Sequence, residues 1–281
     1  MAIDLSSFEE VFEDDIHSHI YELSGHKLSA KRLGYVDRSS ETIEISLPMS
    51  KIDMTIVQSL TGLSESTGYV CWETASYLTD WILSDENCPI RLNNDMTVVE
   101  LGSGVGGILV SQFGPQVKKY VATDQKPILK LLKKNFVNNV RGEYTSETCD
   151  GGSSSKDKNY SRRSNGDAAV IEFVECDWEY VEHGVSTVKE VIGDVEIDLV
   201  IACDTIYNEY LIPHFIRSFK SLMGANTAVL VGLQVRDEVL MEIFAEKIFE
   251  EDLKLYYVRN EYLSSQLLQG YVVYYIERVN P

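Results

Sequence analysis

The stretch that most constrains this chain is residues 97–107, where an apolar run ends in an acid and then breaks into glycines. It reads TVVELGSGVGG, and the acid is Glu100. The apolar run predicts a strand, and the glycines let the backbone turn sharply at its carboxyl end and bring amide groups against a ligand. A helix is predicted to follow over roughly residues 105–113, with its amino terminus facing the same ligand. The stretch therefore predicts a nucleotide-like binding site.

The glycine spacing fits two kinds of cofactor site. Gly102, Gly104 and Gly107 satisfy the G-x-G-x-x-G pattern of dinucleotide-binding dehydrogenases, and Glu100 with the glycines after it satisfies the E-x-G-x-G-x-G form of methyltransferases. The next predicted strand ends in Asp124, a carboxylate placed to accept both hydroxyl groups of a ribose. Both kinds of cofactor carry that ribose, so the choice depends on residues elsewhere in the chain.

Length and composition indicate one sizeable α/β domain with an amino-terminal extension. The chain has 281 residues, and 44% of them are apolar, which is enough for a full core. We place the extension at residues 1–66 and the domain at residues 67–281. No apolar run reaches the roughly 20 residues of a membrane span, and the first residues lack the composition of a signal peptide. We therefore expect a soluble, cytoplasmic protein that does not contact a membrane.

Charge and ligand spacing restrict the partners that we expect. The formal net charge of −19 argues against a chain that grips nucleic acid through its phosphates, because such binding needs clustered Lys and Arg. It favours a basic partner, although acidity that serves only solubility fits the composition as well. The five cysteines contain no C-x-x-C pair, and the five histidines offer only the His17-x-His19 spacing, so we expect no metal site.

Two further apolar runs are predicted to end at the same edge of the sheet as the glycine stretch. The run over residues 170–178 ends in Asp177 and Trp178, an acid and an aromatic ring that could bind an adenine. The run over residues 197–204 is continuously apolar, as expected for a parallel strand covered on both faces. It places Asp204, and Tyr207 just after it, at the carboxyl edge of the sheet, where we expect the reaction to take place.

The remaining patterns complete an α/β chain. The spacing of apolar residues predicts an amphipathic helix within residues 1–23, strands within residues 41–60, and a turn followed by a helix within residues 67–83, which includes Trp72. Towards the carboxyl terminus it predicts a fifth strand over residues 227–235 and two last strands, residues 253–258 and 270–279. A short connection joins those two, so we expect them to pair antiparallel.

Residues 141–169 are rich in Gly, Ser, Asn, Lys and Arg and contain almost nothing to bury. This composition predicts a disordered insertion on the surface. The functional alternative is a basic arm that touches ribosomal RNA or another acidic surface.

Together these residues resemble a family, the seven-strand S-adenosylmethionine-dependent protein lysine methyltransferases, whose fourth strand ends in D-x-x-Y. The resemblance is carried by residues 67–72, 100–104, 123–124, 177–178 and 204–207. It implies a Rossmann-like class I methyltransferase fold, with a seven-stranded, mostly parallel sheet and an antiparallel last strand. It also implies S-adenosyl-L-methionine as the cofactor and a lysine side chain as the methyl acceptor, with no metal.

The resemblance further implies roles for individual residues. Asp204 and Tyr207 match the motif on the lysine side and are implied to be catalytic. The residues implied to bind the methyl donor are Trp72, Glu100, Gly102, Ser103, Gly104, Asp124, Asp177, Trp178 and Cys203. Cys203 departs from the family pattern, which often has Ala there. Residues 123–126 and 206–212 look especially like the fungal branch of the family that methylates ribosomal proteins, which implies a basic substrate of the large ribosomal subunit.

Other functions fit less well. A nicotinamide-dependent oxidoreductase is disfavoured because the glycines follow almost a hundred residues of chain and no Tyr-x-x-x-Lys pair appears. A nucleic-acid amino-methyltransferase usually carries two prolines between the acid and the aromatic residue, where this chain has Thr205 and Ile206. A non-catalytic module that binds the cofactor remains open.

Overall fold

A nine-stranded sheet forms the centre of the molecule. The computed structural model describes residues 5–25, 34–61, 66–149 and 168–279. Its strands are β1 (Phe8–Val11), β2 (Thr42–Leu47), β3 (Ile52–Val57), β4 (Thr97–Leu101), β5 (Lys119–Asp124), β6 (Tyr144–Thr145), β7 (Ala169–Glu175), β8 (Leu199–Cys203), β9 (Ala228–Gln234), β10 (Leu253–Val258) and β11 (Tyr271–Arg278). Its α-helices are α1 (Ile16–Ser24), α2 (Glu73–Ser84), α3 (Ile108–Phe113), α4 (Lys126–Asn139), α5 (Val181–Ile192), α6 (Ile212–Leu222) and α7 (Glu238–Glu250).

The order of the strands places a binding edge at the middle of the sheet. The order is β1-β10-β11-β9-β8-β4-β5-β7-β6, and the strands from β9 to β6 run parallel. From β4 the chain moves to one side through β5 and β7, and then returns to the other side of β4 with β8 and β9. The strand order thus reverses between β4 and β8, and ligands of doubly wound sheets bind at the carboxyl ends of the strands at such a point.

Helices cover both faces of the sheet, which confirms the predicted α/β class. All five residues of β4 and all seven of β9 are buried, as parallel strands covered on both faces are. The core on one face contains Trp81, Phe113 and Phe136, from α2, α3 and α4. The core on the other face contains Ile20, Val188, Phe219 and Phe244, from α1, α5, α6 and α7.

The two last strands pair as predicted. β11 runs antiparallel to both β9 and β10, with Tyr274 opposite Val231 on one side and Tyr257 on the other. The seven predicted strands of the sheet are therefore present as β4, β5 and β7 to β11. Two short edge strands, β1 and β6, extend the sheet beyond them.

The amino-terminal segment differs from its prediction. A helix was expected within residues 1–23, but residues 8–11 form β1, and α1 begins only at Ile16. Phe8 and Val11 are buried while Glu9 is exposed. Phe8 lies opposite Val258 across an antiparallel pair, so β1 covers the edge of β10 that would otherwise be left open. Local spacing cannot reveal that edge, because β10 lies more than two hundred residues away.

The hairpin of β2 and β3 confirms the strands expected within residues 41–60, and it is fastened to the glycine loop after β4. The Asn135 side chain in α4 accepts a hydrogen bond from the Val57 N–H (2.9 Å). Its amide group donates to the carbonyl oxygens of Val57 and Val105 (2.7 Å each). One buried side chain therefore links the hairpin, α4 and the loop that follows β4.

The predicted disordered insertion at residues 141–169 is wrong for its first residues. Tyr144 is buried in β6, which pairs with the start of β7. The Glu172 carboxylate accepts hydrogen bonds from the backbone N–H groups of Glu147 (3.0 Å) and Thr148 (3.0 Å), which fixes the loop after β6. Ala169 already belongs to β7. Residues 150–167, and with them the basic arm considered above, lie outside the described residues.

Candidate active site

A cleft with an open volume of about 620 Å³ lies at the carboxyl ends of the parallel strands. The structure brings nine of the eleven predicted site residues to its wall: Trp72, Gly102, Gly104, Asp124, Asp177, Trp178, Cys203, Asp204 and Tyr207. The other two, Glu100 and Ser103, line an adjoining cavity of about 380 Å³. Trp72, Gly102, Gly104 and Cys203 line both spaces, so the predicted residues surround one continuous region.

The glycine loop is a tight turn between β4 and α3. Gly102 and Gly104 have φ angles of 74° and 59°, a left-handed conformation that other residues rarely adopt. A Cβ atom on Gly102 would lie 3.0 Å from the Trp178 ring. The helix after the loop begins at Ile108, three residues later than predicted, because Gly107 also has a left-handed backbone (φ 57°) and ends the turn. The loop thus keeps the cleft open on its glycine side.

Asp124 ends β5 beside this loop and fixes it. Its Oδ2 accepts a hydrogen bond from the Gly104 N–H (2.8 Å), and its Oδ1 accepts one from the Gln125 N–H (2.7 Å). Burial raises the pKa of Asp124 to about 6, against these two hydrogen bonds, which favour the carboxylate. When ionised, the carboxylate has lone pairs left for the two hydroxyl groups of a ribose.

Glu100 lies beneath the glycine loop, 3% exposed. Its carboxylate accepts a hydrogen bond from the Tyr120 hydroxyl (2.8 Å). Burial raises the pKa of Glu100 to about 7, more than the Tyr120 hydrogen bond lowers it. Because Glu100 lines the adjoining cavity, it is placed to meet a positively charged group that enters there.

Asp177 and Trp178 form the wall beside the glycine loop, where the Trp178 ring approaches Gly102. Asp177 caps the turn after β7 by accepting a hydrogen bond from the Glu179 N–H (3.1 Å). The Trp178 ring packs against Phe215 of α6, with ring centroids 4.9 Å apart. Its indole Nε1–H is buried without a hydrogen-bond partner among the described residues. An aromatic face and an unused donor in one wall suit a flat heterocycle such as adenine.

Trp72, just before α2, lines both the cleft and the adjoining cavity. Its indole N–H donates to the Thr67 carbonyl oxygen (3.2 Å). Tyr35 from the amino-terminal segment stacks on the Trp72 ring (centroids 4.3 Å apart), and the Arg236 guanidinium lies 4.6 Å from the centre of the same ring. These contacts hold the Trp72 side chain in one orientation in the wall of the cleft.

Asp204 follows β8 and lines the cleft. It has a left-handed backbone (φ 53°), which Asp tolerates better than most residues, and it is 7% exposed. Its Oδ1 accepts a hydrogen bond from the Gln234 N–H (3.0 Å) at the end of β9. Its Oδ2 is buried and makes no hydrogen bond of standard geometry to a described residue.

Charge and burial act in opposite directions on Asp204. Burial raises the pKa of its carboxyl group, while the Arg236 charge, the nearby Thr74 hydroxyl and the Gln234 N–H favour the carboxylate. Tyr207, half-buried across the cleft, has a raised pKa for the same reason of burial, so its hydroxyl stays protonated. Burial also raises the pKa of the Cys203 thiol well above its usual range, so Cys203 is a neutral part of the wall.

Several cleft residues were not predicted as site residues: Ser66, Thr67, Gly68, Gln125, Cys176, Thr205 and Leu211. Two of them carried a usable signal. Gly68 belongs to residues 67–72, one of the segments that resemble the family. Its carbonyl oxygen accepts a hydrogen bond from the Val105 N–H (2.9 Å), so this segment contacts the glycine loop. Gln125 directly follows Asp124, and its amide donates to Asp177 (3.3 Å).

The chemistry of the cleft fits S-adenosylmethionine. Its glycine loop lets the Trp178 ring pack closely against the backbone, its acid at the end of β5 matches a ribose, and the adjoining cavity offers Glu100 to an ammonium group. The Trp178 Nε1 and Thr205 Oγ1 atoms are buried at the cleft without partners among the described residues. A bound molecule can satisfy polar atoms of this kind. No group of three or more potential metal ligands occurs in the described part of the chain.

A family model described as lysine methyltransferase matches residues 50–164 and 167–251. The chain is similar to "Ribosomal lysine N-methyltransferase 5" of Vanderwaltozyma polyspora, with 29% identity over 96% of this chain and 100% of that protein. It is similar to the protein of the same name from Zygosaccharomyces rouxii, with 32% identity over 79% of this chain and 78% of that one.

Among solved structures, the chain is similar to the Methanococcus jannaschii fibrillarin pre-rRNA processing protein. The two share 9% identity with a TM-score of 0.45, and the match covers 86% of this chain and 96% of that one. In the described ranges no helix has both the length and the apolar character needed to cross a membrane.

Proposed function

Because this chain belongs to the lysine methyltransferase family, we propose that it methylates a lysine side chain of a ribosomal protein, and that this protein belongs to the large subunit. The enzyme is an S-adenosylmethionine-dependent methyltransferase, as the matching family model and the named relatives establish. The names of those relatives support a ribosomal substrate. The assignment to the large subunit is supported by the resemblance of residues 123–126 and 206–212 to the fungal branch of the family.

One observation carries the proposal: a buried carboxylate, Asp204, lines the same cleft as the glycine loop. Asp204 Oδ2 is buried without a hydrogen bond of standard geometry, while Oδ1 is held by the Gln234 N–H (3.0 Å). A lysine ammonium group that reaches Oδ2 adds a charged donor to the nearby Thr74 hydroxyl. Because Oδ1 is fixed, the carboxylate presents Oδ2 in a constant direction, which is what alignment of an acceptor requires.

The chain's residues divide the cleft into a donor side and an acceptor side. On the donor side we assign Trp178 and Asp177 to the adenine, Asp124 to the ribose, and the glycine loop with Glu100 to the amino-acid portion. On the acceptor side we assign Asp204 and Tyr207 to the lysine. The bound cofactor supplies a methyl group on a positively charged sulfur, which a neutral amine attacks so that a carbon–nitrogen bond forms as the carbon–sulfur bond breaks.

Asp204 orients the lysine and is not required as a strong base. The free lysine side chain has a pKa of about 10.4, and removal from water lowers it by disfavouring the ammonium ion. Asp204 binds the ammonium on entry and accepts a hydrogen bond from the amine after the proton is lost. Tyr207 keeps its proton and adds an aromatic wall that excludes water. Alignment and desolvation then provide most of the rate.

The charge of the chain suits a basic partner. The net charge of −19 attracts a protein rich in Lys and Arg and repels free RNA, so long-range electrostatics favour an exposed protein surface over ribosomal RNA. We place the reaction in the cytoplasm, where ribosomal proteins are made and assembled subunits act.

The experiment that tests this function uses methyl-labelled S-adenosylmethionine. Large and small ribosomal subunits are purified from cells that lack this enzyme and incubated with the wild-type chain or with Asp204→Asn, and the label is located by mass spectrometry. We expect label on a lysine of one large-subunit protein, and less with the variant. Label on a small-subunit protein would contradict the large-subunit assignment, and label in RNA would contradict lysine methylation. Cofactor binding without label on any protein would indicate a non-catalytic module.

A further inference from the structure

Four side chains form a stack that includes Trp72, a residue in the wall of the cleft. The Arg38 guanidinium lies 4.4 Å from the centre of the Tyr35 ring, the Tyr35 and Trp72 ring centroids are 4.3 Å apart, and the Arg236 guanidinium lies 4.6 Å from the Trp72 ring. Each cation contacts an aromatic ring, which is a favourable arrangement. The stack fixes Arg236, which follows β9, against a residue that lines the cleft.

The charge of Arg236 also acts on Asp204. Asp204 follows β8, and Arg236 lies two residues beyond Gln234, whose N–H donates to Asp204 Oδ1 (3.0 Å). The Arg236 charge lowers the pKa of Asp204, against the larger effect of burial. The carboxylate proposed to receive the lysine ammonium therefore already lies in the field of a permanent cation, which is unexpected if the site only has to attract positive charge.

The cation changes which form of lysine is stable beside Asp204. A positive charge nearby disfavours an ammonium ion and favours the neutral amine. Arginine remains protonated at every pH at which proteins are stable, so the effect does not switch off over the working range. Methyl transfer needs the neutral amine, because only its nitrogen has a free electron pair.

We propose that Arg236 is a positioning residue that favours the neutral, reactive amine of the acceptor lysine. The inference rests on the proposed lysine methylation. The proton leaves the ammonium ion for solvent through the open cleft, and the electron pair that stays on nitrogen forms the new carbon–nitrogen bond. Arg236 does not touch the reacting atoms. It acts through its charge beside Asp204 and through the orientation of Trp72.

The other titratable groups at the cleft and beside it are acids, thiols and phenols. Glu73 of α2 accepts a hydrogen bond from the Tyr271 hydroxyl of β11 (3.0 Å), and burial raises the pKa of Tyr271 above its usual range, so this phenol stays neutral. The remaining groups that line the cleft and the adjoining cavity are Cys71, Glu100, Asp124, Cys176, Asp177, Cys203 and Tyr207. Acids favour the ammonium ion, whereas Arg236, whose charge acts on Asp204 among the described residues, opposes it.

The test is the pH dependence of a single methyl transfer. Enzyme in excess, saturated with S-adenosylmethionine, is mixed with the large ribosomal subunits described above, and the rate is measured between about pH 6 and pH 9. Arg236→Gln removes the charge, Arg236→Met removes it but keeps a side chain that packs on a ring, and Arg236→Lys keeps the charge. Arg38→Gln is the matched control, since it removes the outer cation of the same stack.

For both uncharged variants we expect the rising limb of the profile to move by about one unit to higher pH, with a rate about tenfold lower near pH 7. Their apparent affinity for the ribosomal subunit should be unchanged or higher. Arg236→Lys should keep most of the wild-type profile, and Arg38→Gln all of it. The cofactor affinity of each variant, measured by calorimetry, shows whether the donor side is intact.

Two results would overturn the inference, and they differ from failure of the proposed function. A wild-type profile in Arg236→Gln or Arg236→Met would show that the charge does not act on the amine. An equal loss of rate at every pH, shared by Arg236→Lys, would show that Arg236 only supports Trp72. If the wild-type chain itself transfers no methyl group to lysine, the proposed function fails first.

Discussion

Asp124 at the end of β5 accepts a hydrogen bond from the Gly104 N–H, with 2.8 Å between nitrogen and Oδ2, so one strand's terminal acid holds the glycine loop of its neighbour. The two strands are parallel partners, with Thr123 opposite Leu101. The carboxylate therefore shapes the loop and also faces the cleft. Loss of the Asp124 side chain is therefore expected to affect cofactor binding both directly, at the cleft, and through the shape of the glycine loop.

We expect Asp124→Ala to weaken S-adenosylmethionine binding by about 1.5–3 kcal/mol, through lost hydrogen bonds to the ribose and a looser glycine loop. Asp124→Asn, which keeps one acceptor oxygen, should lose less. Isothermal titration calorimetry measures both. Asp95→Ala, which removes an exposed acid next to β4, is the control for the change in net charge. Unchanged affinity in folded Asp124→Ala would remove Asp124 from the donor site.

Glu100 gives a prediction about stability and pH. Its pKa is about 7 in the folded protein and about 4.3 in an unfolded chain. The folded state therefore holds the proton more tightly, so stability falls as pH rises from about 4 to about 7. Glu100→Gln cannot ionise, and its side-chain oxygen can still accept the Tyr120 hydroxyl.

We expect Glu100→Gln, without cofactor, to be about 1–3 kcal/mol more stable than wild type at pH 8 and close to wild type near pH 4.5. Urea unfolding at the two pH values measures this. Equal stability differences at both pH values would show that Glu100 titrates normally. S-adenosylmethionine should bind more weakly to the variant, since the negative charge in the adjoining cavity is lost.

The sequence was sufficient to predict the central strands of the sheet and the residues at the carboxyl ends of those strands. β8 is a continuous apolar run and β4 and β9 are mostly apolar, as parallel strands buried on both faces require, so their ends could be located closely. Because parallel strands end at one edge, Asp124, Asp177 and Asp204 had to lie near one another once the strands were known. The sequence did not predict α5, although Val181, Val185, Val188 and Ile192 follow a helical spacing.

What the sequence could not show depends on contacts between distant segments. The choice of strand over helix at Phe8 depends on the open edge of β10. The stack of Tyr35 on Trp72 joins the amino-terminal segment to the cleft, and neither residue's spacing reveals it. Gly184 lies within α5, although glycine disfavours a helix. The structure explains it, because a Cβ there would lie only 2.7 Å from the Cys176 sulfur, so a larger residue would not fit. Such close approaches are set by packing and leave no local pattern.

Gly102 gives a prediction with an internal comparison. Its φ of 74° and the 3.0 Å approach of a Cβ to Trp178 mean that Gly102→Ala introduces both backbone strain and a contact that must shift. Gly193 also has a positive φ (72°), but a Cβ there would meet nothing within 4 Å, and Gly193 lies outside the cleft.

We expect both alanine variants to lose about 1–3 kcal/mol of stability, because an L-residue is strained in this backbone conformation. Only Gly102→Ala should weaken S-adenosylmethionine binding, by about tenfold or more, since the loop and Trp178 must both move. Thermal unfolding and calorimetry separate the two effects. Equal cofactor affinity in the two variants would show that the glycine loop does not contact the donor.

The last prediction concerns Asp204, whose substitution by Asn preserves the local structure unusually well. Asn tolerates the left-handed backbone as Asp does, and its side-chain oxygen can still accept the Gln234 N–H. The negative charge at the buried Oδ2 position is lost. We therefore expect Asp204→Asn to lower single-turnover methyl transfer by about ten- to a thousandfold, on the scale of one charge-assisted contact to the reacting group. Cofactor affinity should change much less. The matched control is Asp252→Asn, since Asp252 has the same left-handed backbone (φ 53°) but lies on the surface after α7. A wild-type rate in Asp204→Asn would mean that Asp204 serves only the turn after β8, and the acceptor side of the cleft would need another residue.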